Sequence, residues 1–140
     1  MLRSLVYVSR SLVPDTDASS MIADIVAVGS ERNAACGVTG ALVYSGNHFA
    51  QLLEGPDTAV ERLLTSIRAD GRHTDLLVVR DTEVEERQFD GWGLAYNGRS
   101  SFIDKHIAPL VRGDPPANDR ARQSEVTSLI RMMTEFVKDD

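Results

Sequence analysis

Apolar and polar residues alternate near the start of the chain, and this pattern predicts a strand over residues 2–9. Leu5 and Tyr7 fall on one face of that strand, while Val6 and Val8 fall on the other. Valine and tyrosine favour extended backbone, and side chains two residues apart share a face. Because both faces carry apolar side chains, the strand is expected to lie inside a sheet that is covered on both sides.

Residues 33–56 read as a turn, a strand, a Ser-Gly-Asn reversal and a second strand. Alternation in the second strand, over 48–53, places Gln51 on the same face as Phe49 and Leu53. A buried amide without a hydrogen-bond partner costs about 1–3 kcal/mol. Gln51 therefore requires a partner, and the identity of that partner is the main question that the pattern raises.

Helical spacing of apolar residues predicts four helices: Ala18 to about Arg32, Pro56 to Asp70, 101–112 and 120–138, the last two separated by a break at 113–116. Further strands are predicted at 76–79 and 89–96, with an acidic connection at 81–86 between them. The order is strand, helix, strand, strand, helix, strand, strand.

This order predicts an α+β fold with a ferredoxin-like βαββαββ sheet. Two helices are expected on one face and the C-terminal helices on the other, as the second apolar face of the first strand requires. The predicted division is a domain over 1–97 and a C-terminal helical extension over 98–140.

Composition excludes several classes of function. The chain has 140 residues and a net charge of −6, with a pI near 5.0, which argues against direct binding to nucleic acid or to an anionic membrane surface. Cys36 is the only cysteine, so an intrachain disulfide and cysteine-pair zinc sites are excluded. With no apolar run long enough to span a membrane and no signal peptide, a cytoplasmic protein is expected.

Enzyme motifs are absent from the sequence. It has no P-loop, no dinucleotide-binding glycine motif and no nucleophile elbow. His48, His73 and His106 are far apart and form no helical metal-binding pair. The chain is therefore interpreted as a protein that is not an enzyme and that binds no metal.

Polar residues on otherwise apolar surfaces are more informative. Strands 1 and 3 are central neighbours in a ferredoxin-like order, so Tyr7 and Gln51 are expected side by side, with Asn33 arriving from the end of the first helix. Flanked by Ile25 and Ile67, they would form a slot for a flat heteroaromatic ligand. Each also has a purely structural interpretation: Tyr7 as a core tyrosine, for example, or Asn33 as a helix cap.

The combination of these residues resembles the BLUF family, the blue-light sensors that use FAD, and in particular its short stand-alone members. Five ordered blocks carry the resemblance: Leu5-Val6-Tyr7-Val8-Ser9, Asn33 with Gly37-Val38-Thr39-Gly40-Ala41-Leu42, Phe49-x-Gln51-x-Leu53-Glu54-Gly55, Ile67-x-x-Asp70-x-Arg72-His73, and Phe89-x-x-Trp92. Together they cover roughly residues 1–97.

The resemblance implies FAD as the cofactor, with its ring between the first two helices. It assigns Tyr7 as the photoactive tyrosine, Gln51 as the switching glutamine and Trp92 as a third photochemical residue. The implied cofactor-binding residues are Tyr7, Ile25, Arg32, Asn33, Gln51, Ile67, Asp70, Arg72 and His73. The chain departs from the family at Trp92-Gly93-Leu94, where relatives commonly carry Trp-Ser-Met.

The resemblance implies a blue-light photoreceptor in which electron and proton transfer from the tyrosine rearranges the hydrogen bonds of Gln51. The signal would pass through the C-terminal helices to an unidentified protein partner, with a homodimer left open. The alternative interpretation is a ferredoxin-like ligand-binding or dimerisation module without light chemistry.

Overall fold

The computed structural model describes residues 1–113 and 118–138. Its strands are β1 (Leu2–Ser11), β2 (Thr39–Tyr44), β3 (His48–Gly55) and β4 (His73–Val84), and its helices are α1 (Ala18–Ala35), α2 (Asp57–Arg68), α3 (Asp104–Arg112) and α4 (Asp119–Lys138). Short 3₁₀ turns precede α1 and α3. The predicted break at 113–116 falls, beyond Gly113, outside the described residues.

The four strands form one sheet in the order β2-β3-β1-β4, and every neighbouring pair is antiparallel. With α1 and α2 as the two crossovers, this is the ferredoxin-like arrangement, so the predicted fold class is confirmed. The register places Tyr7 of β1 directly opposite Gln51 of β3, and Gln51 opposite Leu42 of β2. Three neighbouring strands thus contribute one row of side chains to the same face.

The predicted fifth strand is present only as an irregular segment along the edge of β2. Within 89–96, one parallel bridge joins Ala95 to Ala41, and the rest follows no strand geometry. The glycine at 93 shows why: a Cβ there would lie 2.5 Å from the carbonyl oxygen of Ser30 on α1. At Gly93 the segment passes against the helix, while three backbone hydrogen bonds join it to the edge of β2: Gly40 N–H to Trp92 O at 3.1 Å, Leu42 N–H to Ala95 O at 2.9 Å and Ala95 N–H to Gly40 O at 2.9 Å.

The fourth strand is longer than its apolar centre indicated. It runs through Val84, so much of the stretch interpreted as an acidic connection is strand. Arg3 of β1 explains the extension, because its guanidinium makes two hydrogen bonds to the carboxylate of Asp81, at 2.9 and 2.7 Å. Cross-strand charge pairing stabilises an edge strand whose residues there are polar.

Helices cover both faces of the sheet. Val6, Val8, Ala50 and Leu52 point towards α3 and α4 and form one continuous apolar core with them. The opposite face packs against α1 and α2 as two smaller clusters. The expected packing of the C-terminal helices is therefore present, whereas the division into domains at residue 97 stays a prediction. No helix within 1–113 and 118–138 has the length and apolar character needed to cross a membrane.

Candidate functional site

The central pair of the site is Tyr7 and Gln51, which are both buried. The tyrosine hydroxyl donates a hydrogen bond to Oε1 of Gln51, so each satisfies one polar atom of the other. Burial is the largest cause that raises the pKa of Tyr7, and the nearby charge of Asp70 raises it further. The phenol therefore keeps its proton at neutral pH and remains the donor in this pair.

A cleft lies over this pair, between α1 and α2 on the sheet face. It encloses about 650 Å³ of empty space, including the part open to solvent. Ile25 and Ile67 line opposite helical walls, and Leu42 and Phe49 contribute from the sheet. The polar lining comes from Tyr7, Gln51, Asp24, Arg32, Ser66, Asp70, Arg72 and His73. A cleft that combines apolar walls with convergent polar groups is typical of a small-molecule site.

Gln51 presents an amide nitrogen to this cleft. Its Oε1 accepts from Tyr7, but Nε2 donates to no protein atom in the part of the chain that the structure describes. Gln51 is only 5% exposed, so this nitrogen has little access to solvent and is free to donate a hydrogen bond to a ligand in the cleft.

Asn33 is fully buried in the last turn of α1, since the helix extends to Ala35. The interpretation that it follows the helix as a cap is therefore wrong. Its Nδ2 donates to the backbone oxygen of Gly93 at 2.9 Å, while Oδ1 has no hydrogen-bond partner among the described residues. An unpartnered buried acceptor of this kind calls for an explanation such as a bound ligand.

His73, the first residue of β4, is fixed by two hydrogen bonds. Its Nε2 lies 2.6 Å from the backbone oxygen of Ile67, and its Nδ1 lies 2.8 Å from the hydroxyl of Ser9. A carbonyl oxygen only accepts, so Nε2 carries the proton. The imidazole also packs edge-on to the Tyr7 and Phe49 rings, with centroids 6.1 and 6.2 Å apart.

An ion pair between Asp70 and Arg72 closes the turn between α2 and β4. Arg72 donates from Nε and Nη2 to the carboxylate, at 2.9 and 2.6 Å, and its backbone N–H donates to Oδ1 at 3.0 Å. These hydrogen bonds lower the pKa of Asp70 and raise that of Arg72. Asp24 of α1 lies 3.6 Å from Arg72, so the pair bridges the two helical walls at the mouth of the cleft.

Arg32 also lines the cleft, from the exposed side of α1. Its guanidinium forms no ion pair with any of the residues described, in contrast to Arg72. An unpaired cation at the mouth of a pocket is a typical partner for a phosphate group.

Trp92 and Leu94 occupy different positions relative to the cleft. Leu94 lines it, and its Cδ2 would lie 3.0 Å from a Cβ at Gly29 of α1. The Trp92 side chain is 41% exposed and is not among the lining residues. The photochemical role expected for Trp92 stays a prediction, because neither its exposure nor the lining of the cleft supports it.

Asn33, which was assigned to the site, is not a lining residue of the cleft. Seven lining residues were not assigned to the site from sequence: Asp24, Val28, Gly29, Leu42, Phe49, Ser66 and Leu94. Leu42 had an available signal, because the hairpin register places it beside Gln51. Asp24 and Ser66 are ordinary polar positions on exposed helical faces, and no local pattern separates them from other surface residues.

Comparison with known proteins places this cleft in a family context. Residues 2–95 match the BLUF family, described as sensors of blue-light using FAD. The photoactivated adenylate cyclase subunit alpha of Euglena gracilis is 35% identical over 110 residues, covering 76% of this chain and 10% of that protein. The blue light- and temperature-regulated antirepressor BluF of Escherichia coli (strain K12) is 34% identical over 94 residues, covering 67% of this chain and 23% of that protein. The chain thus spans a quarter or less of these curated relatives.

Solved structures match over nearly the whole chain. BlrB, a BLUF protein in its dark state, is 32% identical with a TM-score of 0.69, covering 92% of this chain and 94% of BlrB. BlsA in its photo-activated state is 25% identical with a TM-score of 0.76, covering 96% and 95%. The likeness extends through the region of α3 and α4 in both cases.

Proposed function

The chain belongs to the BLUF family, whose members sense blue light through FAD, and we propose that it is itself a photoreceptor in which Tyr7 and Gln51 form the light-driven switch. The observation that carries this proposal is the hydrogen-bonded pair of these two residues at the base of the cleft. The protein is proposed to act as a sensor and not as an enzyme.

The residues present fit an FAD ring in two respects. The aliphatic walls at Ile25 and Ile67 face each other across the cleft, as a flat ring requires. Gln51 Nε2 and Asn33 Oδ1 are a donor and an acceptor without protein partners among the described residues. The carbonyl oxygens and ring N–H of a flavin match such groups.

The mouth of the cleft fits the charged part of the cofactor. Arg32, which has no ion pair within the described ranges, is the proposed phosphate ligand. Asp70 and Arg72 are tied to each other, so their proposed role is to set the spacing of the helical walls. His73 has the proposed role of orienting Tyr7, which its edge-on contact supports.

FAD supplies, when bound, the absorption of blue light and an excited state that is oxidising enough to accept an electron from Tyr7. The phenolic proton of Tyr7 already lies on a hydrogen bond to Gln51 Oε1, so Gln51 is the proposed route for that proton. When the electron and the proton return to Tyr7, the amide of Gln51 remains rearranged. A rearranged amide changes which hydrogen bond it offers to the cleft, and this is expected to shift the absorption to the red.

The output is proposed to pass from β3 to the C-terminal helices and from them to another protein in the cytoplasm, with a homodimer as the alternative receiver. The cyclase and the antirepressor among the relatives carry their outputs in much longer chains. A partner responds only if it binds the dark and lit states with different affinity.

The test is the absorption spectrum of the FAD-loaded protein before and after blue light. Wild type is expected to show a red shift that reverses in the dark, whereas Tyr7→Phe should bind FAD and lose the shift. Tyr96→Phe is the matched control and should retain it. A Tyr7→Phe variant with the full shift would exclude Tyr7 as the electron donor, and a colourless wild type would favour the ligand-binding or dimerisation module instead.

A further inference from the structure

Glu54, near the end of β3, is a buried carboxylate that the light chemistry does not use. It is 1% exposed and has no cationic partner in the part of the chain that the structure describes. Its oxygens accept three hydrogen bonds: from the Thr39 hydroxyl at 2.8 Å, from the Gln88 N–H at 2.8 Å and from the Phe89 N–H at 2.7 Å. A buried charge needs such donors, because an unsatisfied one is strongly destabilising.

The position of Glu54 on the strand relates it to the light-sensing residue. It lies three residues after Gln51, or about 10 Å along an extended strand. Because side chains alternate, Gln51 points to the cleft and Glu54 points to the opposite face. One strand therefore carries the switch on one side and this carboxylate on the other.

Residues 87–89, the anchor segment, are bound tightly to the end of the β2–β3 hairpin. Besides the two N–H groups that donate to Glu54, Arg87 donates to the Thr39 hydroxyl at 2.9 Å and to the Glu54 backbone oxygen at 3.0 Å. Its other terminal nitrogen donates to the Gly37 oxygen at 2.8 Å. The anchor segment is expected to follow any movement of the hairpin end.

The same segment contacts the last turn of α4. Lys138 Nζ donates to the backbone oxygen of Gln88, and it lies 4.9 Å from the centroid of the Phe89 ring. Phe89 is itself buried in the core shared with α4. Glu54, the anchor segment and Lys138 thus form an unbroken set of contacts from β3 to the C-terminal end of the helix.

We propose that Glu54 is a positioning residue that couples the strand carrying Gln51 to the last turn of α4 through the anchor segment. This inference rests on the proposed function, because it requires a light-driven change at Gln51. A displacement of β3 moves the Glu54 carboxylate, the two N–H groups bound to it follow, and the Lys138 contact is altered. In a purely structural role, Glu54 would satisfy those N–H groups equally in both light states.

The experiment uses the full FAD-loaded chain and the variant Glu54→Gln. The amide has the volume of the carboxylate but only one acceptor oxygen, so one of the two backbone N–H groups loses its acceptor. Two quantities are measured in the dark and under continuous blue light: the absorption red shift, and deuterium exchange in peptides covering 87–97 and 130–138. Asp81→Asn is the control, because it removes a carboxylate that is bound to Arg3 and not to the anchor segment.

Wild type and Asp81→Asn are expected to show the red shift together with a light-dependent change in exchange at both peptides. Glu54→Gln is expected to keep the red shift and to lose the light-dependent change at 130–138. If Glu54→Gln retains that change at the wild-type size, or if wild type shows the red shift without it, the proposed coupling is wrong. Absence of the red shift in wild type would instead overturn the proposed function.

A second variant keeps the test decisive if Glu54→Gln does not fold. Lys138→Met removes only the exposed ammonium at the far end of the contacts. It is expected to keep the light-dependent exchange at 87–97 and to lose it at 130–138. Retention of the change at 130–138 in this variant would contradict the proposed route.

Discussion

The two faces of the sheet are built from the same strands but differ in what they contain. Towards α3 and α4, the residues Val6, Val8, Ala50 and Leu52 belong to one continuous apolar core. Towards α1 and α2, the alternate residues include Tyr7 and Gln51, and the apolar clusters are separated by the cleft. Alternation along a strand can therefore place the residues that stabilise the fold on one face and the residues that bind a ligand on the other.

The difference has an energetic consequence. Apolar packing contributes about 25 cal/mol for each Å² removed from water, and the face towards α3 and α4 takes this contribution over one continuous core, beside which the buried Glu54 carboxylate accepts three hydrogen bonds. Among the described residues, Asn33 Oδ1 on α1 and His106 Nε2 on α3 are buried without a hydrogen-bond partner, whereas Gln51 Nε2 is open to the cleft. A ligand that binds the cleft only in the folded protein adds to its free energy of unfolding, so stability of the cleft face is coupled to binding.

The largest expected effect comes from truncating the closed face. Leu129 of α4 is fully buried, and Leu129→Ala is expected to lower the free energy of unfolding by about 2–5 kcal/mol. Ile25→Ala, in the half-buried cleft wall, should cost the FAD-free protein less and weaken FAD binding more. Denaturant unfolding of both FAD-free variants checks this, and equal losses would contradict the division between the faces.

A smaller effect is expected at the mouth of the cleft. Arg32→Ala should weaken FAD binding about tenfold, roughly 1.4 kcal/mol, and should reduce its dependence on salt, because a cation–phosphate contact is lost. Arg68→Ala on α2 removes another exposed arginine, which is not a lining residue, and should leave the affinity unchanged. Titration of flavin fluorescence at two salt concentrations measures both. Equal affinities for the two variants would remove Arg32 from the site.

The smallest expected effect is on the pH dependence of stability. Arg72 lowers the pKa of Asp70 below the ordinary value of 3.8. A depressed pKa in the folded state gives stability that is present above about pH 4 and is lost as the pH falls through the lowered value. Asp70→Asn should therefore flatten acid denaturation below about pH 4, by no more than about 1 kcal/mol for a pair this exposed. Asp90→Asn, which replaces another exposed aspartate, is expected not to flatten acid denaturation. Parallel acid curves for wild type and Asp70→Asn would contradict the expectation.

Much of this arrangement follows from the sequence because the signals are local and repeat. Period-two alternation places Tyr7 and Gln51 on single faces of their strands, and the element order makes those strands neighbours. The observed register puts the two residues directly opposite each other, so their juxtaposition was predictable. The same alternation in β1 predicted that helices cover both faces.

Other features depend on contacts between residues far apart in the sequence. The apolar stretch at 89–96 resembles a strand, but Glu54 binds its start and Gly93 passes close to Ser30. Asn33 extends α1 by packing its amide against Gly93, 60 residues away. Neither contact leaves a periodic pattern along the chain, so the periodicity of the sequence does not reveal them.

The proposed role of Gln51 as the switch is tested most directly by the light-minus-dark absorption difference of Gln51→Leu, measured beside that of wild type. Leucine has a similar size but no amide, so the variant is expected to bind FAD and remain yellow. Wild type is expected to show a reversible red shift, and Gln51→Leu is expected to show none. A full red shift in the FAD-loaded variant would show that the hydrogen bonds of Gln51 are not the switch.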